Sequence, residues 1–306
     1  MIGSLNSIPE LCIWRQVENR FLILFIPSMK CQLHCSYCGW FQNLKEFGGD
    51  KLEVGRDLKW FEWLVAFNPY RPYTLEITGG EPLLYSDFSD LVAHLPWLCN
   101  WSVTSNTLLD VSNITNRNLN GWTASFHFKE KKRFFDNCKI LTRSGMKPSI
   151  SMVVQPDRVD EVEEYVKEFT EQNQWVNLLR ELNPKVDWRG SKEWNRLELI
   201  RDKYPHVNLV DDDSIPKVYQ FPIFDICTAG MNYFAVIGDG QVFRCYSDLV
   251  RGESMGNIFN FRPFTEPQKC GKPCLGCATD YRQKKWNEKM ILEVGHDRQQ
   301  QIITQM

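Results

Sequence analysis

The sequence has no excess of charge of either sign: 36 Lys and Arg stand against 38 Asp and Glu, for a net charge of −2. So balanced a surface gives no electrostatic footprint for nucleic acid or an anionic membrane. The one basic run, Lys129 to Arg133, reads as the solvated first turn of a helix. Long hydrophobic runs are also missing. The longest, Phe21 to Ile26, has the length of a buried strand and falls far short of the ~20 residues of a membrane span. The start, MIGSLNSIPELCIW, has no basic region followed by an apolar core, so no secretory signal is expected and a cytoplasmic location is. No repeat of solenoid length is visible. Apolar material is plentiful: hydrophobic residues make up 43% of the 306 positions, with eleven Trp among them. That is enough for one large α/β domain and a smaller module.

Eleven cysteines is an odd number, and in a chain without a signal their clustering argues for metal binding rather than a disulfide framework. Cys12, Cys99 and Cys138 fall outside any ligand spacing and are expected to be ordinary buried thiols. The other eight form two groups: Cys31, Cys35 and Cys38, then Cys227, Cys245, Cys270, Cys274 and Cys277.

Between the groups, strand-like and helix-like segments alternate. Phe21–Ile26, Tyr73–Thr78, Asn100–Asn106, Gly121–His127, Pro148–Val154 and Trp175–Leu182 read as strands. Asp57–Phe67, Ser86–Leu95, a short stretch near Asn113–Leu119, Lys131–Ser144, Val159–Thr170 and Lys192–Tyr204 read as helices, and Gly145 closes the fourth. Six βα units in a row imply a parallel sheet, curved or closed, with helices outside and ligands at the carboxyl ends of its strands. The fold expected is a partial (β/α)6 barrel over 21–215 followed by a small Cys-rich β-hairpin and helix module over 216–290. Residues 1–20 form an N-terminal extension and 291–306 a polar tail. The acidic stretch VDDDSIPK (Val210–Lys217) is the linker, and Gly238-Asp239-Gly240 the hairpin turn.

The first cysteine group follows the first strand. Three soft ligands in eight positions converge on one centre, yet a closed zinc site wants four. His34, the one nearby candidate for the fourth, sits awkwardly between two ligands. A [4Fe–4S] cluster tolerates the vacancy, because its fourth iron can bind a small molecule instead. Cys31-x3-Cys35-x-Tyr37-Cys38, together with Gly79-Gly80-Glu81-Pro82 after the second strand, closely resembles the radical S-adenosylmethionine (SAM) superfamily. The resemblance implies that SAM chelates the open iron and is cleaved to a 5′-deoxyadenosyl radical that abstracts a substrate hydrogen. It implies that Gly79, Gly80 and Glu81 meet the SAM amino group. Ser105, Asn106, Ser125 and His127 would meet its ribose or carboxylate, and Tyr37 would pack on the adenine. Locally, two glycines would let backbone carbonyls approach an ammonium without a Cβ in the way.

The second group reads Cys227-x12-Gly240-x4-Cys245, then Cys270-x3-Cys274-x2-Cys277. A four-cysteine zinc ribbon is one reading. The other is a resemblance to the SPASM and Twitch auxiliary-cluster modules of radical SAM enzymes, with one [4Fe–4S] cluster held by Cys227, Cys245, Cys274 and Cys277, or with Cys270 in place of Cys274. By analogy of architecture the expected activity is oxidation of a sugar- or aminocyclitol-like metabolite. The auxiliary cluster would handle the second electron, and a flavodoxin- or ferredoxin-type protein would be the donor. The alternatives are a peptide epimerase or crosslinking maturase and a non-catalytic Fe–S or SAM-binding scaffold. With only about 20 residues before the first strand, no leader-recognition domain is expected. If a thiol hydrogen donor were needed, Cys138 and Cys270 are the candidates. His127, Lys129, Arg180 and Glu181 are expected near the site, with no proton-transfer role assigned.

Overall fold

The computed structural model describes residues 21–181, 188, 190–210, 226–227 and 229–270. Seven strands lie side by side in chain order, each parallel to the next: β1 (Phe21–Ile26), β2 (Tyr73–Ile77), β3 (Asn100–Ser105), β4 (Leu119–Phe126), β5 (Ser149–Val154), β6 (Val176–Arg180) and β7 (Val207–Val210). On the far flank β9 (Tyr233–Ile237) runs parallel to β1, and β10 (Val242–Phe243) returns antiparallel to β9. A separate pair joins β8 (Ile226–Cys227) to β11 (Gln268–Lys269). The helices are α1 (Gly39–Phe47), α2 (Trp60–Phe67), α3 (Phe88–His94), α4 (Lys131–Arg143), α5 (Val159–Glu171), α6 (Lys192–Lys203) and α7 (Tyr246–Val250).

Alternation along the strands decides which face is covered. In β4, Trp122, Ala124 and Phe126 are buried while Thr123 and Ser125 are half-buried on the opposite side. Phe126 meets Phe134 of α4 at 5.1 Å and Phe169 of α5 at 5.5 Å between ring centroids, an aromatic seam under the helices. β1 is apolar on both faces because both are covered. Ile23 and Phe25 join the helix-side core, while Leu24 and Ile26 pack with Ala235 and Ile237 of β9.

Three features differ from the expectation. No helix forms near Asn113–Leu119. There Asp110 accepts from the Ser112 amide at 2.9 Å and Thr115 from the Arg117 amide at 3.2 Å, local bonds that compete with a helical ladder. α1 and β7 were not foreseen, because the first is short and follows the cysteines directly and the second abuts the acidic stretch. The hairpin expected after the linker extends the main sheet. The sheet order runs from β10 to β7, and its two ends do not pair among the described residues, so the sheet is mostly parallel and open at both edges. Among the described residues no helix is long and apolar enough to cross a membrane.

Candidate cofactor site at the strand ends

Cys31, Cys35 and Cys38 occupy the loop from the carboxyl end of β1 into α1. His34 sits in the loop's turn with a φ of 48° and its side chain exposed, and Cys38 stands at the N-cap of α1. Burial pushes the Cys31 and Cys35 thiols up, and all three sulfurs lie close enough for charge on one to disfavour charge on another. Backbone amides of Leu33 and His34 oppose the effect at Cys31, and the Tyr37 hydroxyl opposes it at Cys35. Among the described residues no three Cys, His, Asp or Glu close around one point tightly enough to hold a single metal ion. A lone zinc needs all its donors ~2.0–2.3 Å from one centre, whereas the thiolates of an iron–sulfur cube each bind their own iron and stand apart. By its chemistry, three thiolates with His34 exposed in the turn and no fourth thiolate beside them among the described residues, the donor set suits a cube with three protein ligands better than a closed tetrahedral zinc site.

Gly79 and Gly80 follow β2 and press against this loop. The Gly80 amide donates to the Ser28 carbonyl at 3.1 Å and the Glu81 amide to the Lys30 carbonyl at 2.7 Å. A Cβ on Gly80 would stand 2.2 Å from the Lys30 oxygen, and one on Gly79, which holds a φ of 121°, 2.5 Å from Ile26. The glycines thus let two backbones touch, fixing the segment that leads into Cys31. Glu81 is 1% exposed. Its carboxylate accepts from the Leu83 amide at 3.0 Å, from Ser105 Oγ at 2.8 Å and from the Asn106 amide at 2.8 Å. Burial raises its pKa, and these three bonds pull the other way. Ser105 Oγ also accepts from the Thr107 amide at 2.9 Å, so Glu81 and Ser105 brace the ends of β2 and β3. Asn106 accepts from Gln32 at 3.2 Å and points its amide at Cys31 Sγ, 3.9 Å away.

His127, just beyond β4, reaches the same loop. Its Nδ1 lies 3.5 Å from Cys35 Sγ and 2.9 Å from the Tyr37 hydroxyl, and its ring stacks on Tyr37 at 6.1 Å with 14° between planes. Burial, with Lys129 nearby, lowers its pKa to about 4. This contact between Tyr37, Cys35 and His127 could not be read from the sequence, since 90 residues separate Tyr37 from His127. Ser125 is half-buried on the face opposite Trp122, Ala124 and Phe126, beside Ser151 of β5, which pairs with Asn177 of β6. With Thr74, Glu76, Ser102 and Thr123 they give that side a mostly polar lining, which Val153 and Leu179 interrupt. Lys129 approaches the Leu33 carbonyl at 3.5 Å. Arg180 leans over Trp194 at 6.0 Å, and the Glu181 amide bonds the Val154 carbonyl at 2.9 Å.

Of the second group, Cys227, Cys245 and Cys270 are described, and Cys274 and Cys277 lie outside the described residues. Cys227 sits on β8 opposite Gln268 of β11, while Cys245 stands at the N-cap of α7. Desolvation pushes the Cys245 thiol up to about 12, with the Cys227 sulfur near enough to add to the rise. Arg244 donates to Cys270 Sγ at 3.6 Å and to the Lys269 carbonyl at 3.1 Å, and pairs with Asp248 at 3.1 Å. Cys245 and Cys270 therefore lie beside one buried guanidinium, and Cys227 lies near Cys245. Cys99 and Cys138 are buried thiols, as expected; Cys12 lies outside the described residues.

No family model matches this sequence. Over 82 residues it is 34% identical to a probable GTP 3',8-cyclase of Archaeoglobus fulgidus, a stretch that covers 27% of this chain and 26% of that protein. The chain thus matches about a quarter of the length of this curated relative. In fold it is similar to native anSMEcpe with bound AdoMet and Kp18Cys peptide, with a TM-score of 0.52 at 17% identity over 78% of each chain. Native anSMEcpe with bound AdoMet alone gives 0.50 at 16% identity, again over 78% of each chain. The likeness in sequence is thus to part of a probable GTP 3',8-cyclase, and the likeness in fold is to structures that hold AdoMet.

Proposed function

We propose that this chain is a radical SAM enzyme that removes a hydrogen atom from a small polar substrate. The observation that carries the reading is the close packing of the Cys31–Cys38 loop against Gly79 and Gly80 at adjoining strand ends, where only glycine fits. Cys31, Cys35 and Cys38 would hold a [4Fe–4S] cluster, which would supply the electron for reductive cleavage of SAM. Backbone carbonyls around Gly79 and Gly80 receive the SAM ammonium, on a loop that Glu81 and Ser105 keep rigid. Asn106 and Ser125 reach the ribose or carboxylate. Cys227, Cys245 and Cys277, with Cys274 or in its place Cys270, hold an auxiliary cluster, to which Arg244 lends its charge. An external flavodoxin- or ferredoxin-type protein delivers electrons.

The polar lining from Thr74, Glu76, Ser102, Thr123, Ser125, Ser151 and Asn177 supports a polyhydroxylated substrate, a sugar or aminocyclitol, over an apolar one. The second reading is peptide modification, because the anSMEcpe structure similar in fold holds a peptide beside AdoMet. A fold by itself does not choose between substrates.

Anaerobic reconstitution should load about eight iron per chain if both groups hold a cube. About four iron with one zinc would remove the auxiliary cluster from the proposal. With SAM and dithionite the protein should release 5′-deoxyadenosine, and Cys35→Ala should release none. Methyl transfer without that product would sink hydrogen abstraction.

A further inference from the structure

Three heavy atoms meet at Cys35. The sulfur lies 3.5 Å from His127 Nδ1, which lies 2.9 Å from the Tyr37 hydroxyl. Packing alone does not account for this arrangement. A phenylalanine would stack on the imidazole equally well, yet the phenol sets its hydroxyl against both the sulfur and the nitrogen that faces it. The other two cysteines are served differently. Cys31 receives backbone amides from Leu33 and His34 and a distant Asn106 amide at 3.9 Å. No side chain hydrogen-bonds the Cys38 sulfur among the described residues.

A thiolate accepts hydrogen bonds and has none to give. One nitrogen cannot accept from the phenol and donate to the sulfur at once. With a metal on Cys35, both groups serve the sulfur when Nδ1–H donates to the phenol oxygen and the phenol O–H donates to the thiolate. Hydrogen bonds to cluster sulfurs draw off their charge and favour the reduced, more negative state of the cluster. The Tyr37 ring is held parallel to the imidazole rather than free to seek another partner.

We propose that Tyr37 and His127 are a hydrogen-bonding pair directed at the Cys35 sulfur, positioning residues that raise the reduction potential of the centre held by Cys31, Cys35 and Cys38. This inference rests on the cluster reading of that loop. It assigns both side chains to the sulfur, whereas the family resemblance implies that they contact SAM.

The test is an EPR-monitored redox titration of the full reconstituted chain without SAM, following the signal that Cys35→Ala removes. Tyr37→Phe is nearly isosteric, and His127→Leu deletes the nitrogen. Each should shift the reduced-to-oxidised ratio toward oxidised, by up to about tenfold at a fixed potential, which is ~59 mV for a one-electron centre. His127→Asn, whose amide nitrogen can stand where Nδ1 does, should recover most of the shift. Iron content should stay at the wild-type level throughout. Unchanged potentials at full iron content would overturn the pair's role and leave the cluster reading intact, as would a shift that arises only after SAM is added. If Cys35→Ala removes no signal at all, the cluster reading falls and the inference with it.

Discussion

The two cysteine regions of this chain are organised by different interactions. The first is set by backbone against backbone: glycines without side chains, amide-to-carbonyl bonds between loops, and a buried carboxylate bracing two strand ends. The second is set by a charge pair, Arg244 with Asp248, whose side chains are 10% and 8% exposed and which ties α7 to the end of β11. Cys38 and Cys245 nonetheless hold equivalent positions, each at the N-cap of a helix. Those helices touch. Asn43 of α1 donates to the Tyr246 hydroxyl of α7 at 3.1 Å, the Trp40 and Tyr246 rings lie 5.9 Å apart, and Val250 crowds Gly49. A site fixed by main-chain contacts tolerates no added atom, whereas one fixed by a buried ion pair tolerates no lost charge.

Cysteine replacement should give the largest contrast. Cys35→Ala is expected to abolish 5′-deoxyadenosine release. Cys245→Ala should leave some SAM cleavage while iron content falls by about half, measured by colorimetric iron assay beside product chromatography. Equal loss in both variants would mean that the regions are not separable.

Next comes Asp248→Asn, which strands the buried Arg244 guanidinium. Removing one partner of a buried pair costs about 3–5 kcal/mol, so chemical denaturation should show a clear drop, and the second region should lose metal before the first. A change under 1 kcal/mol would show that another group neutralises Arg244.

Gly80→Ala is the matching test of the first region. Its Cβ would fall 2.2 Å from the Lys30 carbonyl oxygen, and overpacking of this kind costs about 1–3 kcal/mol. Thermal melting should drop by several degrees, with a larger fall in cluster occupancy at the first region than at the second. Unaltered occupancy would mean that the loops are free to separate.

The smallest effect is expected where the regions meet. Tyr246→Phe removes the acceptor of the Asn43 bond while keeping the ring, at a cost of about 0.5–1.5 kcal/mol. Spectra of both centres should be unchanged. A shifted spectrum at the first centre would show that α7 helps to shape it.

Much of this was legible in the chain. The spacing of Cys31, Cys35 and Cys38, the Gly79–Glu81 turn and the hairpin turn at Gly238-Asp239-Gly240 are local patterns. So is the closure of α4, where the Met146 amide bonds the Leu141 carbonyl at 2.9 Å behind Gly145 at a φ of 81°. The missing helix near Asn113–Leu119 was not legible, because side-chain bonds from Asp110 and Thr115 compete with weak helical periodicity. Nor was β7, a four-residue strand whose neighbour β6 decides its existence. The occupation of Glu81 by three donors and the grouping of Tyr37, Cys35 and His127 also had no sequence signal.

The sequence by itself determined most of the elements, the cysteine spacings and the resemblance to radical SAM enzymes, since each depends on residues a few positions apart. Only the tertiary structure decided that β9 lies against β1, that the glycines serve the contact between two loops, and that His127 turns to Cys35. Parallel strands pair across long connections, and a side chain's partner is whatever the sheet brings beside it, so neither is encoded at any fixed spacing.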